Sequence, residues 1–223
     1  MKKTLKRLAL LTVAMVLGFA SCEDDFGPEY DRGNNGGGGT TTGTINGHDW
    51  VDLGLPSGLK WATCNIGAST PEGYGNYYAW GETTTKSSYT EDNCRTYGVS
   101  MNDISGNATY DAARANWGST WRMPTNAEME ELENNCTWTW TAQSGINGYK
   151  VTGQNGKSIF LPAAGYCHGT SRYYVGEDGY YWSSSPDKSS DNGAYDLYFA
   201  SDYHNVNWID RRYYGYSVRP VSE

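Results

Sequence analysis

The chain has 223 residues, with 25 acidic against 17 basic side chains and a formal net charge of −8. No basic stripe occurs, which excludes nucleic acid as a partner, because phosphate binding rests on neutralisation by Lys and Arg. Tyrosine (19), tryptophan (9) and glycine (28) are abundant and phenylalanine is scarce (4), a profile of short strands, glycine turns and amphipathic aromatics rather than an aliphatic interior.

The first predicted element is a leader. Lys2, Lys3, Lys6 and Arg7 precede an apolar run over residues 8–19 and then Ala20-Ser21-Cys22, too short to span a bilayer but of signal-peptide form over residues 1–21. A cysteine directly after small residues is similar to a bacterial lipobox, so Cys22 is the expected lipidation site and lipid anchor, holding the mature chain to a membrane without crossing it. The leader holds four positive and no negative charges, so its loss takes the net charge from −8 to −12. Residues 22–43 read as a linker: a Gly/Asn/Thr stretch buries too little apolar surface to order itself and tethers on the order of 25 Å. The acidic triplet Glu23-Asp24-Asp25 resembles the surface-export signal of Bacteroidetes lipoproteins and is equally the acidic start of a solvated linker. An outer-membrane lipoprotein displayed at the cell surface is the expectation.

Residues 44–223 suffice for one domain with a real core. Strands are expected at 48–55 and 59–64 around the turn Pro56-Ser57-Gly58, with Val51, Leu53 and Leu55 alternating. Residues 74–80 are a further strand or packed loop, and residues 86–106 show no period. A first helix is predicted over 107–117, with Gly118 as its stop.

The clearest element follows. Thr125-x-x-Glu128 is a capping box, and Pro124 keeps the helix from growing backwards. Met129, Leu132 and Cys136 then form a narrow apolar stripe, with Glu130, Glu131 and Glu133 expected in water. A run of glutamates on one short helix supplies neither a cleft nor opposed carboxylates, so it is not a catalytic pair. Afterwards Thr137-Trp138-Thr139-Trp140-Thr141 alternates strictly, and strands are expected at 149–152, 158–162, 180–184, 194–201, 206–209 and 214–221. A strand pair, two helices and a run of strands make an α+β domain.

Besides Cys22 the chain carries Cys64, Cys94, Cys136 and Cys167, which outside the cytoplasm have three possible pairings. Cys64 with Cys136 is favoured, since one follows a strand and the other ends the helix expected to pack on it. There is no Cys-x-x-Cys, and His48, His168 and His204 lack metal-ligand spacing, so neither a metal nor a cofactor is expected.

Several segments taken together resemble one family. They are Val51-Asp52-Leu53-Gly54-Leu55-Pro56-Ser57-Gly58 with Lys60-Trp61-Ala62-Thr63, Tyr77-Tyr78-Ala79-Trp80-Gly81-Glu82, Trp121-Arg122-Met123-Pro124-Thr125, Phe160-Leu161-Pro162-Ala163-Ala164-Gly165, Tyr181-Trp182-Ser183-Ser184, and Ser217-Val218-Arg219-Pro220-Val221. They look like the Fibrobacter succinogenes major paralogous domain of Bacteroidetes surface lipoproteins. The resemblance implies a C-type-lectin-like fold of the variety also seen in formylglycine-generating enzymes. The late cysteine pair with which those enzymes bind copper is missing, as are the Glu-Pro-Asn and Gln-Pro-Asp tripeptides of calcium-dependent lectins.

The expected function is a non-catalytic module that binds a glycan or a protein. Tyr173, Tyr174, Tyr203, His204, Asn205, Asn207, Trp208, Arg211, Arg212, Tyr213 and Tyr214 are the candidate ligand-binding residues, because rigid aromatics and Arg with Asn spacers give contact area at low entropy cost. The competing assignment for each tyrosine is the fold's own core, in a chain poor in Phe. Three alternatives remain: a structural subunit of a surface assembly, a retroelement-diversified binding protein, whose rewritten Tyr/Asn/Ser/Asp-rich segments residues 195–214 resemble, and an oxidase or hydrolase. The last lacks the cysteine pair, Gly-x-Ser-x-Gly and any phosphate-binding glycine loop.

Overall fold

A computed structural model describes residues 40–223. The leader, Cys22 and all but the end of the expected linker lie outside the described residues. No helix among the described residues is long and apolar enough to cross a membrane. The fold is α+β and sheet-rich, with two short helices and mostly antiparallel strands.

Strands β1 (Thr42–Ile45), β2 (His48–Asp52), β3 (Lys60–Ala62) and the closing β12 (Val221–Ser222) form one antiparallel sheet in that order. The β2–β3 pair is the expected hairpin, whereas β1 takes Thr42 and Gly43 out of the expected linker. Those two residues pair with Val51 and Trp50, and Gly43 lies so close under the Trp50 ring that a Cβ there would stand 2.7 Å from it. The register, rather than local propensity, makes this strand.

Helix α1 (Ala112–Trp117) starts five residues later than predicted. Asp111 caps it, its carboxylate accepting from the amides of Arg114 (2.9 Å), Gly106 (2.7 Å) and Met123 (2.9 Å), which fixes a turn ahead of the helix. Helix α2 (Asn126–Asn135) has the expected capping box, with Thr125 as N-cap and Glu128 reaching back to the Thr125 amide at 2.8 Å. Glu128 also forms a two-pronged pair with Arg122, at 2.7 and 2.8 Å. Met129 and Leu132 are buried as the stripe requires. Two of the glutamates assigned to water are tied to the fold instead: Glu131 accepts from the Ser57 amide and hydroxyl, and Glu133 meets His204 at 3.0 Å.

Strands β4 (Thr137–Gln143), β5 (Ile146–Thr152) and β6 (Ser158–Pro162) form a meander, with Trp138 and Trp140 half-buried and the intervening threonines exposed. A small hairpin, β7 (Tyr166–His168) with β8 (Ser171–Tyr173), was not foreseen. Strands β9 (Gly179–Pro186), β10 (Gly193–Ala200) and β11 (Tyr203–Arg211) form a sheet with β10 in the middle. This sheet divides the interior. Tyr181, Leu197, Phe199 and Val206 join a core with Met129, Leu132, Val151 and Leu161, while Tyr180, Trp182 and Ala194 join a second core with Trp50, Trp80, Trp117 and Trp121.

Of the last predicted strand only the end is regular. Residues 215–217 instead make single bridges to Cys167, Tyr78 and Tyr181, threading between elements. The fully buried Arg219 guanidinium behind them donates to the Asn65 side chain and to the carbonyls of Ala62, Thr63 and Phe160. The favoured Cys64–Cys136 bridge is not formed, and all four described cysteines are free thiols. Cys136 caps α2 beside the first core, and Cys64 lies at the other end of the β3 segment, by Thr63 and Arg219.

Candidate functional site: an aromatic platform

Hairpin β7–β8 and the second-core face of the β9–β10–β11 sheet, where it runs out past Tyr180, bring eight aromatic rings into one connected surface. Tyr166 is its hub, stacked on Tyr173 (5.4 Å between ring centroids) and in reach of Tyr174 (6.1 Å), Tyr180 (5.0 Å) and Tyr214 (5.3 Å). Tyr180 continues to Tyr198 (5.0 Å), which in turn meets Tyr203 (6.0 Å) and Trp208 (5.4 Å). Such offset and edge contacts hold the rings rigid.

Local backbone features aim these rings. Strand β11 carries one extra residue opposite Asp196 and Tyr198, since Tyr198 pairs with Asn205 but Asp196 pairs with Trp208. This bulge brings Trp208 onto the face shared by Tyr203 and Asn205, where strict alternation would have placed Asn207. At the far end, Tyr174 has φ 54°, a left-handed conformation unusual for a bulky side chain, and its carbonyl accepts from the amides of Glu177 and Asp178 in a tight turn. Gly165 has φ 61°, and a Cβ there would lie 2.0 Å from the Tyr173 carbonyl, so only glycine lets the hairpin fold back this closely.

The platform is half wet. Tyr173, Tyr174, Tyr203 and Trp208 are 42 to 52% exposed, Tyr166, Tyr198 and Tyr214 are half-buried, and Tyr180 is buried. All the exposed large apolar side chains among the described residues except Val99 lie on β8, the turn after it or β11. Two carboxylates support the rings: Asp178 accepts from the Tyr180 hydroxyl at 3.3 Å, and Asp210 accepts from the Tyr216 hydroxyl at 2.7 Å. Burial raises both above the ordinary carboxylate range. It also pushes the Tyr214 phenol up to about 12, so this ring stays neutral. On the same face as Tyr198, Asp196 is fully buried with neither oxygen hydrogen-bonded, and its carboxyl is held well above its usual value by burial and then by Asp210.

The candidate residues separate into four groups. Tyr173, Tyr174, Tyr203, Trp208 and Tyr214 belong to the platform, and Asn205 lies on it, donating to the Tyr203 hydroxyl at 3.0 Å. His204 and Asn207 point elsewhere: the His204 ring stacks on Trp138 beside Glu133, and the Asn207 amide oxygen accepts from Asn126 at 2.7 Å, both joining β11 to neighbouring elements. Arg211 is exposed next to Tyr213 and Tyr97.

Arg212 and Tyr213 are corrected from recognition residues to core residues. The Arg212 guanidinium is fully buried, donates to the carbonyls of Gly193, Thr96 and Val99, and lies 4.4 Å over the Trp80 ring. The Val99 carbonyl comes from an irregular segment with no strand to satisfy it, and the Gly193 and Thr96 carbonyls, which also accept from the Asp187 and Val99 amides, complete the shell around the cation. Tyr213, 7% exposed, packs with Tyr77, Tyr89 and Cys167 and edge-on to Tyr97. Tyr166, Tyr180 and Tyr198 were missed. The signal open to a reader was the alternation Asp196, Tyr198 on β10, but only the strand register brings these residues beside Trp208.

The segments that carry the family resemblance are mostly interior. Tyr77 to Trp80, Phe160 to Ala164 and Tyr181 to Ser184 are buried, and the Trp80 and Trp182 indoles donate to the carbonyls of Ser183 and Tyr78, both at 2.9 Å. A family model described as Domain of unknown function (DUF8237) matches residues 125–221, from the N-cap of α2 into the last strand, a span that contains the whole platform. No curated protein and no solved structure matches the chain.

Proposed function

We propose that the protein is a non-catalytic carbohydrate-binding module, displayed at the cell surface by a lipid on Cys22 and a Gly/Thr tether. In this reading the domain is a C-type-lectin-like member of the Fibrobacter succinogenes major paralogous group, and the bound sugar needs no metal. The carrying observation is the platform itself, a rigid line of tyrosines ending in Trp208, with four rings strongly exposed. Sugar rings present C–H faces that lie flat on aromatic rings, and their hydroxyls suit the acceptors at the edge, Asp178 and the Asn205 amide. Tyrosine and tryptophan are enriched at protein interfaces as well, so a native chain that retains no glycan would favour a protein partner. The strained backbone at Tyr174 supports the reading, since such strain persists where a side chain must be presented.

The test is a glycan array with the purified full chain, repeated with Trp208→Ala and Tyr174→Ala. An anchoring aromatic ring is worth about 2 kcal/mol, so each variant should weaken retention roughly thirtyfold with folding intact. Unchanged retention in both variants, or no glycan bound by the native chain, refutes the proposal. Palmitate labelling that leaves Cys22 unmodified refutes the anchor separately.

A further inference from the structure

Hairpin β7–β8 has two sides. Tyr166 and Tyr173 pair across it on the platform side, and the neighbouring pair, Cys167 with Arg172, turns to the other. That other side walls a cleft of about 290 Å³ whose lining also includes Tyr77, Lys86, Ser87 and Ser171. The volume is at the small end for ligand pockets and suits one sugar-sized group.

The charges in the cleft are unequal. The Lys86 ammonium is occupied, paired with Glu82 at 2.7 Å and bonded to the Asn93 carbonyl at 2.6 Å. Arg172 forms no ion pair among the described residues. Its guanidinium lies 4.9 Å over the Tyr77 ring and beside the Cys167 thiol, which burial keeps in its neutral form. In a chain with a surplus of acids, an uncompensated guanidinium held over an aromatic ring in a hydroxyl-lined cleft is set up for a planar or tetrahedral oxyanion.

We infer that this cleft seats an acidic residue of a longer glycan, bearing a carboxylate or a sulfate, with Arg172 as the anchoring cation and the Ser87 and Ser171 hydroxyls as further donors. The inference rests on the carbohydrate reading for the rest of the ligand. It makes acidic sugars the preferred class, with one hairpin contributing to both contacts.

Titration calorimetry on the full chain with cellotetraose, tetrasaccharides of the same length bearing one glucuronate or one sulfate, and inorganic sulfate tests it, alongside Arg172→Gln, Arg172→Lys and Trp208→Ala. At low salt an acidic sugar should bind about tenfold more tightly than the neutral one, since one charge-assisted bond is worth about that factor. Raising the salt should erode the preference because Arg172 is exposed. Arg172→Gln should abolish it, Arg172→Lys should keep part of it, and Trp208→Ala should weaken acidic and neutral sugars alike. Which acidic sugar wins tells carboxylate from sulfate. Equal binding of acidic and neutral sugars, or a preference that survives Arg172→Gln, overturns the anion seat while leaving the platform standing. Arg172-dependent binding of inorganic sulfate with no sugar bound supports the seat and refutes the platform reading, and no binding of any probe overturns both.

Discussion

Arg212→Met separates a recognition arginine from a structural one. The methionine keeps much of the aliphatic stem over Trp80 but removes the guanidinium and its bonds to the carbonyls of Gly193, Thr96 and Val99. Gly193 and Thr96 still accept from the Asp187 and Val99 amides, so the loss is of the three bonds themselves, two fully buried and one partly so. Each bond lost from an ionised donor costs about 1.5–3 kcal/mol. Against this stands the desolvation cost that the variant escapes, that of a cation with no carboxylate within ion-pair distance among the described residues, a burial that already lowers the arginine's own pKa. The net loss should be about 3–5 kcal/mol, among the larger single-site effects. For a domain of this size, each kcal/mol moves Tm by about 2–4 °C, so thermal unfolding followed by tryptophan fluorescence should show a fall of roughly 6–20 °C. Glycan affinity measured well below the variant's Tm should match that of the native chain. Lost binding with Tm shifted by under about 2 °C, smaller than one lost hydrogen bond, would falsify the structural assignment and return Arg212 to the recognition surface.

Three further outcomes are expected. Tyr174→Gly should raise stability by about 1 kcal/mol by relieving the left-handed backbone while it lowers ligand affinity, and denaturant midpoints beside binding curves check the opposed signs. Asp196, whose pKa is raised on folding, contributes stability that is fully present below the unfolded value of about 3.9 and is lost as pH rises through the folded value. Asp196→Asn, neutral at every pH, should flatten the decline of Tm as pH rises above the unfolded value and raise Tm at the upper end; a variant with the native slope refutes this. Thiol titration of the unreduced, denatured chain should find Cys64, Cys94, Cys136 and Cys167 all reactive, and a loss of two equivalents would show a bridge.

The sequence by itself determined what short-range chemistry controls. The capping box Thr125–Glu128, the stripe of Met129 and Leu132, the Gly118 stop, the β2–β3 hairpin and the alternation of Trp138 with Trp140 all depend on neighbours within a few residues, and each is found in place. Only the tertiary structure decided which aromatics are walls and which are faces. Tyr213 and Tyr214 are adjacent and alike, yet one fills a core and the other edges the platform, because the chain there threads between β7 and the second core instead of continuing a strand. Trp208 faces outward because of one extra residue in β11, and Tyr166 meets Tyr198's neighbours because Gly165 folds the hairpin back. A bulge is settled by the register of the neighbouring strand, and a bridge and a buried guanidinium by partners tens of residues away, none of which a local pattern of residue types encodes.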